Sequence, residues 1–318
     1  MILNVPTAQT LEDISLRLYF SAWSSLIHIR ADFDATFVPG HDPHPSSDGE
    51  WAQEWSEYID AYQPELQAVC TVIQQSNEIA LKSKICAVSP YLLLLKSDHR
   101  FSTAARNVEF SEFRTLDAID LPGAVNTLCP EPLSDGFVQS YNEIRALRNK
   151  ISHLGHADRL FEPQDLLNKL IFQYEELWKT RKWLEDQVTF ASRTGVAFLY
   201  DGKYSSAEAG VMEELDNTFN AIGKSDFLKL FGFKKSDRRF LCHHCVYRAT
   251  TRFNEPDFDT WKTAFLLPNG AELRCIMCGE DYKVERKRCS DERCEGNVVG
   301  KNGDDYEDVC HVCGHDPR

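Results

Sequence analysis

Eight cysteines crowded into the last quarter of the chain constrain its fold more than any other feature. They form four pairs: Cys242-His-His-Cys245, Cys275-Ile-Met-Cys278, Cys289-Ser-Asp-Glu-Arg-Cys294 and Cys310-His-Val-Cys313. Two cysteines so spaced on a tight turn present both thiolates to one tetrahedral ion. Two such pairs close a four-thiolate shell with no open position, the structural type of zinc site. Gly279 and Gly314 each follow the second cysteine of a pair and allow the left-handed backbone such turns use. The expectation is two structural Zn2+ ions per chain and no catalytic metal. The simplest ligation is sequential, with Cys242, Cys245, Cys275 and Cys278 on one ion and Cys289, Cys294, Cys310 and Cys313 on the other. An interleaved cross-brace would use the same residues. His243, His244, His311 and His315 are possible substitute ligands, but eight cysteines suffice without them. The segments are too short to bury much core, so metal should supply much of the stability here, on the order of 10 kcal/mol per site.

Cys70, Cys86 and Cys129 stand apart and read as buried apolar side chains. Eleven cysteines, an odd number, with no export signal point to a reducing compartment. The N-terminal MILNVPTAQT lacks the basic and apolar regions of a secretory signal. The longest apolar run, Tyr91–Leu95, is far short of the roughly 20 residues that span a bilayer. A cytoplasmic protein with no membrane partner is expected. Its 49 acids against 35 bases, net −14, exclude a protein that coats nucleic acid through bulk positive charge. Contact with RNA must then come from local basic patches.

Before the cysteine module the chain reads as mainly α. Residues 11–30 carry Leu11, Ile14, Leu18, Trp23, Leu26 and Ile27 at helical spacing. Residues 38–50, VPGHDPHPSSDGE, read as a loop. Residues 51–81 predict a long helix interrupted at Pro64, continuing to about residue 87 and stopped by Ser89-Pro90. A shorter segment, 110–129, ends at Cys129-Pro130. Residues 135–154 predict a helix with Gly155 as its C-cap. Pro163 opens the next, which by its apolar stripe runs to about Ala191. Residues 196–200 predict one short strand. The domains are therefore an all-α bundle of four or five helices over 1–191, a helical basic connector over 192–239, and the four-pair module over 240–318.

Two charge runs stand out. Residues 31–81 hold ten acids and no Lys or Arg, a solvated face or a docking face for a basic partner. Lys224, Lys229, Lys234, Lys235, Arg238 and Arg239 make 224–239 the most basic stretch, a solvated surface or a phosphate contact. Lys283–Arg293 mixes both signs and does not decide the module's role.

No phosphate-binding G-x-x-x-x-G-K-[ST] or G-x-G-x-x-G occurs, nor a G-x-S-x-G or H-E-x-x-H hydrolase signature. One constellation remains. The helix YNEIRALRNKISHLG contains Arg148-Asn149-x-x-x-His153, and the earlier SNEIALKSKI contains Glu78-x-x-x-Lys82. Over roughly residues 65–190 this combination resembles the HEPN superfamily, whose ribonuclease members carry R-[N/D/H]-x(3–5)-H in a late helix of an all-α bundle. The cysteine module resembles tandem zinc ribbons built of short hairpins. The HEPN resemblance implies a metal-independent endoribonuclease. Arg148 would stabilise the phosphate, His153 would handle protons, Asn149 would orient one of them, and Glu78 and Lys82 would order the site. It also implies a homodimer and a role in toxin activity, antiviral defence or RNA processing, with an antitoxin-like or regulatory protein as a further partner. The ribbons would recognise RNA or a protein. The alternative is a non-catalytic HEPN scaffold whose ribbons join it to a larger complex.

The chemistry suits those residues. RNA is cut without metal when its 2′-hydroxyl attacks the adjacent phosphate, which needs a proton carrier of near-neutral pKa and an arginine fork for the developing charge. Asn149 and His153 share a helical face. Arg148 and His153 diverge by about 140° around the helix. A two-fold dimer that brings two such helices together overcomes that divergence.

Overall fold

The computed structural model describes residues 1–36, 48–95, 107–157, 159–193, 206–252, 255–301, 303 and 306–317. The strand expected over 196–200 and most of the loop expected over 38–50 lie outside the described residues. The chain divides into two compact units, Met1–Lys179 and Thr180–Arg318. Mainly α architecture with a small β-rich C-terminal part is what the sequence leads one to expect.

The first unit is a helical bundle: α1 (Ala8–Thr36), α2 (Asp48–Ala61), α3 (Gln63–Val88), α4 (Leu121–Leu128), α5 (Asp135–Leu154) and α6 (Pro163–Leu177). A two-residue parallel pair joins β1 (Ile2–Leu3) to β2 (Val108–Glu109). α1 packs mainly on α3, and α3 also packs on α4, α5 and α6. The buried face of α1 is Leu16, Tyr19, Phe20, Trp23, Leu26 and Ile27. Ile14, expected on that face, is 40% exposed. The aromatic rings decide the rotation, because Tyr19 meets Trp23, Tyr174 and Trp178 and they bury more apolar surface than Ile14 could.

The break near Pro64 falls at Tyr62, and Pro64 sits in the first turn of α3, where a missing N–H costs nothing. Gln63 pins that joint. Its Nε2 donates to the Ile59 and Phe161 carbonyls, each at 3.0 Å, and its Oε1 accepts the Phe161 N–H at 2.8 Å. α5 starts at an N-cap, Ser134, whose hydroxyl accepts the Phe137 N–H, and ends at Gly155 with φ 77.

The helix expected from Pro163 to Ala191 is two helices. α6 stops at Leu177, and α7 (Trp183–Ala191) belongs to the second unit. Trp178 and Trp183 are both buried and continue the apolar pattern across the break, so periodicity alone does not reveal it. The unit boundary thus lies at Lys179, ahead of the one expected at residue 191.

The second unit continues with α8 (Ala207–Glu213), α9 (Leu215–Ala221), α10 (Lys224–Phe231), β3 (Arg239–Leu241), α11 (His243–Ala249), β4 (Lys262–Leu266), β5 (Glu272–Cys275), β6 (Asp281–Glu285) and β7 (Val299–Gly300). Its five strands form an antiparallel meander in chain order, β3-β4-β5-β6-β7. The stretch 206–239, expected as connector, is part of this fold. Phe219, Phe227 and Phe231 form an aromatic cluster that reaches Phe265 of β4 and Trp183 of α7. Lys235 donates to the Asn220 and Ile222 carbonyls at the end of α9, and Arg239 pairs with Asp216 while lying over Phe219. Those two cations serve the fold. No helix among the described residues is long and apolar enough to cross a membrane.

Candidate functional site

The four cysteine pairs converge sequentially. Cys242, Cys245, Cys275 and Cys278 form one group and Cys289, Cys294, Cys310 and Cys313 the other. The interleaved cross-brace is thereby excluded. β3 and the N-terminus of α11 carry the first pair, the β5–β6 turn the second, and loops flanking β7 the rest. All eight sulfurs are free thiols. A tetrahedral ion with metal–sulfur bonds of about 2.3 Å requires sulfurs about 3.8 Å apart. The Sγ separations are 3.7 Å for Cys242–Cys278, 3.7 Å for Cys245–Cys275, 3.8 Å for Cys289–Cys313 and 4.0 Å for Cys294–Cys310. A disulfide would bring two sulfurs to about 2.05 Å. The residues therefore fit a metal ion in each group.

The surroundings suit thiolates. The backbone N–H groups of Met277, Asp291, Gly296 and Val312 point at Cys275, Cys289, Cys294 and Cys310, at 3.3–3.4 Å. The Tyr282 hydroxyl lies 3.3 Å from Cys242 Sγ, and Thr263 Oγ1 lies 3.2 Å from Cys275 Sγ. Gly279 and Gly314 have φ of 77 and 76, the conformation their place after the knuckles calls for. His243 and His311 are not ligands; both are buried, and their rings meet at 4.5 Å. Of the three scattered cysteines, Cys70 and Cys86 are buried and Cys129 is half-buried.

The second constellation lies where α3 packs on α5. Arg148 Nη2 forms an ion pair with Glu78 Oε1 across 70 residues of sequence. Gln74, one turn before Glu78, donates to the same oxygen at 3.1 Å. Tyr141 lies buried beside them and donates to the Ala118 carbonyl at 2.7 Å. Burial, and then the nearby Glu78 carboxylate, push the Tyr141 phenol well above its ordinary range, so it stays a neutral donor. Gln74 and Tyr141 carry no motif that would have singled them out. Lys82 does not join the pair; its Nζ reaches Thr115 Oγ1 at 3.4 Å. Asn149 is half-buried, and His153 is exposed in the last turn of α5. One chain thus brings Glu78 and Arg148 together and holds His153 further along and around the same helix.

In the second unit a cleft of about 310 Å3 is lined by Arg181, Lys182, Arg274, Phe231 and Phe233. Each cation has an acid partner, Asp186, Glu185 and Asp281 respectively. No family model, curated protein or solved structure matches the chain.

Proposed function

We propose that this chain is a metal-independent endoribonuclease of HEPN type whose two four-cysteine groups hold structural Zn2+. The observation that carries the reading is the Glu78–Arg148 pair. The resemblance implies that Glu78 orders the site, and Glu78 and Arg148 meet although 70 positions separate them. Zinc follows from the donor set, since a closed shell of four thiolates suits a redox-silent tetrahedral ion. When bound, it cross-links the knuckles.

Glu78 occupies one edge of the Arg148 fork and fixes its direction, leaving the remaining donors for non-bridging phosphate oxygens. The 2′-oxygen attacks phosphorus and the 5′-oxygen leaves. One proton is withdrawn from the 2′-hydroxyl and one is delivered to the 5′-oxygen. His153 carries protons, and its exposure gives RNA access. A homodimer pairing two α5 helices supplies two such histidines, one for each transfer. The products are a 2′,3′-cyclic phosphate and a 5′-hydroxyl. The setting is cytoplasmic defence or RNA processing, with restraint by a protein partner.

Purified protein incubated with total RNA in EDTA tests this. Defined fragments are expected, lost in His153→Ala by about 100- to 10,000-fold and lost in Arg148→Lys, which keeps the charge but not the fork. A 2′-deoxy substrate should resist. Full activity in His153→Ala, or cutting of the deoxy substrate at a comparable rate, overturns the mechanism. RNA binding with no cleavage by the wild type would instead make the chain a non-catalytic adaptor.

A further inference from the structure

The two four-cysteine groups are not separate beads. Leu241 immediately precedes Cys242 of the first group, and His311 immediately follows Cys310 of the second. The Leu241 N–H donates to the His311 carbonyl at 2.8 Å, and His311 Nδ1 donates back to the Leu241 carbonyl at 2.9 Å. A carbonyl can only accept, so this contact also fixes the proton on Nδ1. His243, next after Cys242, lays its ring on that of His311 at 4.5 Å. Tyr282, whose hydroxyl touches Cys242 Sγ, has its ring 6.3 Å from the His311 ring. Leu241 is 0%, His311 1% and His243 7% exposed, so water cannot take over these contacts.

The same few backbone atoms therefore aim Cys242 at one centre and Cys310 at the other. A metal site tolerates ligand displacements of only about 0.2 Å. Whatever orders one knuckle must order its neighbour. We propose that the two centres load metal as one cooperative unit, with His311 as the link, so that filling either centre tightens the other. The inference rests on the reading that both groups hold metal. Coupling of binding free energies is reciprocal, so each centre must raise the affinity of the other by the same factor, here about tenfold.

The test uses the full chain, stripped of metal and titrated with Co2+ and then Zn2+ against a chromophoric chelator. Cobalt–thiolate absorption reports each centre without reference to any activity. In the wild type, half-loaded protein should fall to about a quarter at half-saturation, against about half for two equal uncoupled centres. Cys313→Ser should weaken the first centre about tenfold, and Cys278→Ser should weaken the second by the same factor. His311→Ala keeps all eight thiolates and should abolish the cooperativity, which guards against a cysteine variant that merely fails to fold. Two independent steps in the wild type, or a first-centre affinity within twofold of wild type in His311→Ala and Cys313→Ser alike, would overturn the coupling. A wild-type chain that takes up no metal would overturn the metal assignment itself, a different result.

Discussion

Removing Glu78 asks what the Glu78–Arg148 pair contributes. The side chains are 19% and 29% exposed, so the pair is neither fully wet nor sealed. Exposed ion pairs contribute about 0–1 kcal/mol, and buried hydrogen bonds to charged groups about 1.5–3 kcal/mol. An intermediate coupling of about 1–2 kcal/mol is expected, since Gln74 also donates to the carboxylate oxygen that Arg148 contacts. A double-mutant cycle with Glu78→Ala, Arg148→Ala and the double variant isolates that coupling. Urea unfolding followed by helical circular dichroism reads it. For a unit of this size each kcal/mol shifts Tm by about 2–4 °C, so Glu78→Ala should melt about 2–8 °C lower. In RNA cleavage the same variant should lose about ten- to hundredfold, because an unbraced guanidinium swings off its target. Additive effects, with a coupling below about 0.3 kcal/mol, would show that the contact is idle and would remove the observation on which the ribonuclease reading rests.

Other perturbations probe other parts of the fold. Strong chelation should unfold the β3–β7 sheet while the helical signal of Met1–Lys179 survives, since the units have separate cores; loss of all far-UV helicity would contradict this. Gly300→Ala would drive a Cβ into the Tyr306 carbonyl oxygen, so the bound metal, read by elemental analysis, should fall from two ions towards one. Lys169 of α6 donates to Glu143 of α5 at 3.1 Å, and this bond foremost lowers the Glu143 pKa below its ordinary 4.5. A depressed carboxyl adds stability above its unfolded value and loses it as pH falls through the folded one. The Tm gap between wild type and Glu143→Gln should therefore be constant near neutral pH and close below pH 4.5; a gap that widens there refutes the assignment. Light scattering at micromolar concentration should give twice the chain mass; a monomer that still cleaves RNA would end the composite-site idea.

The local rules were legible in the sequence, and the long-range ones were not. Gly155 and Pro64 act through their own backbone and so mark helix ends where they stand. The cysteine spacing disclosed the four knuckles for a similar reason, because each is a local turn, but left open whether they pair sequentially or as a cross-brace, which the structure decides. The α6–α7 break escaped because Trp178 and Trp183 keep the apolar rhythm on both sides of it. The Glu78–Arg148 contact follows from no periodicity, and only the family resemblance joined two residues so far apart. His243 and His311 read as spare ligands, since nothing in a C-x-x-C spacing says what its middle residues face. The basic run 224–239 looked like one surface, yet Lys235 and Arg239 turn inward onto carbonyls, a ring and a carboxylate.

Sequential ligation also has a consequence for how the chain is made. Cys242 and Cys278 lie 36 positions apart, and Cys289 and Cys313 lie 24 apart. Each ring closes over neighbouring chain only, and no ligand waits for one from beyond the other set. During synthesis from the N-terminus, the first four thiols are complete before Cys289 is added, while a cross-brace would leave half-built shells exposed to wrong partners. Ring closure costs rise by only about 0.6 kcal/mol per doubling of length, so the gain lies in order of assembly more than in strength. His311 is translated after the first four thiols, and it arrives as the latch on a ring already closed.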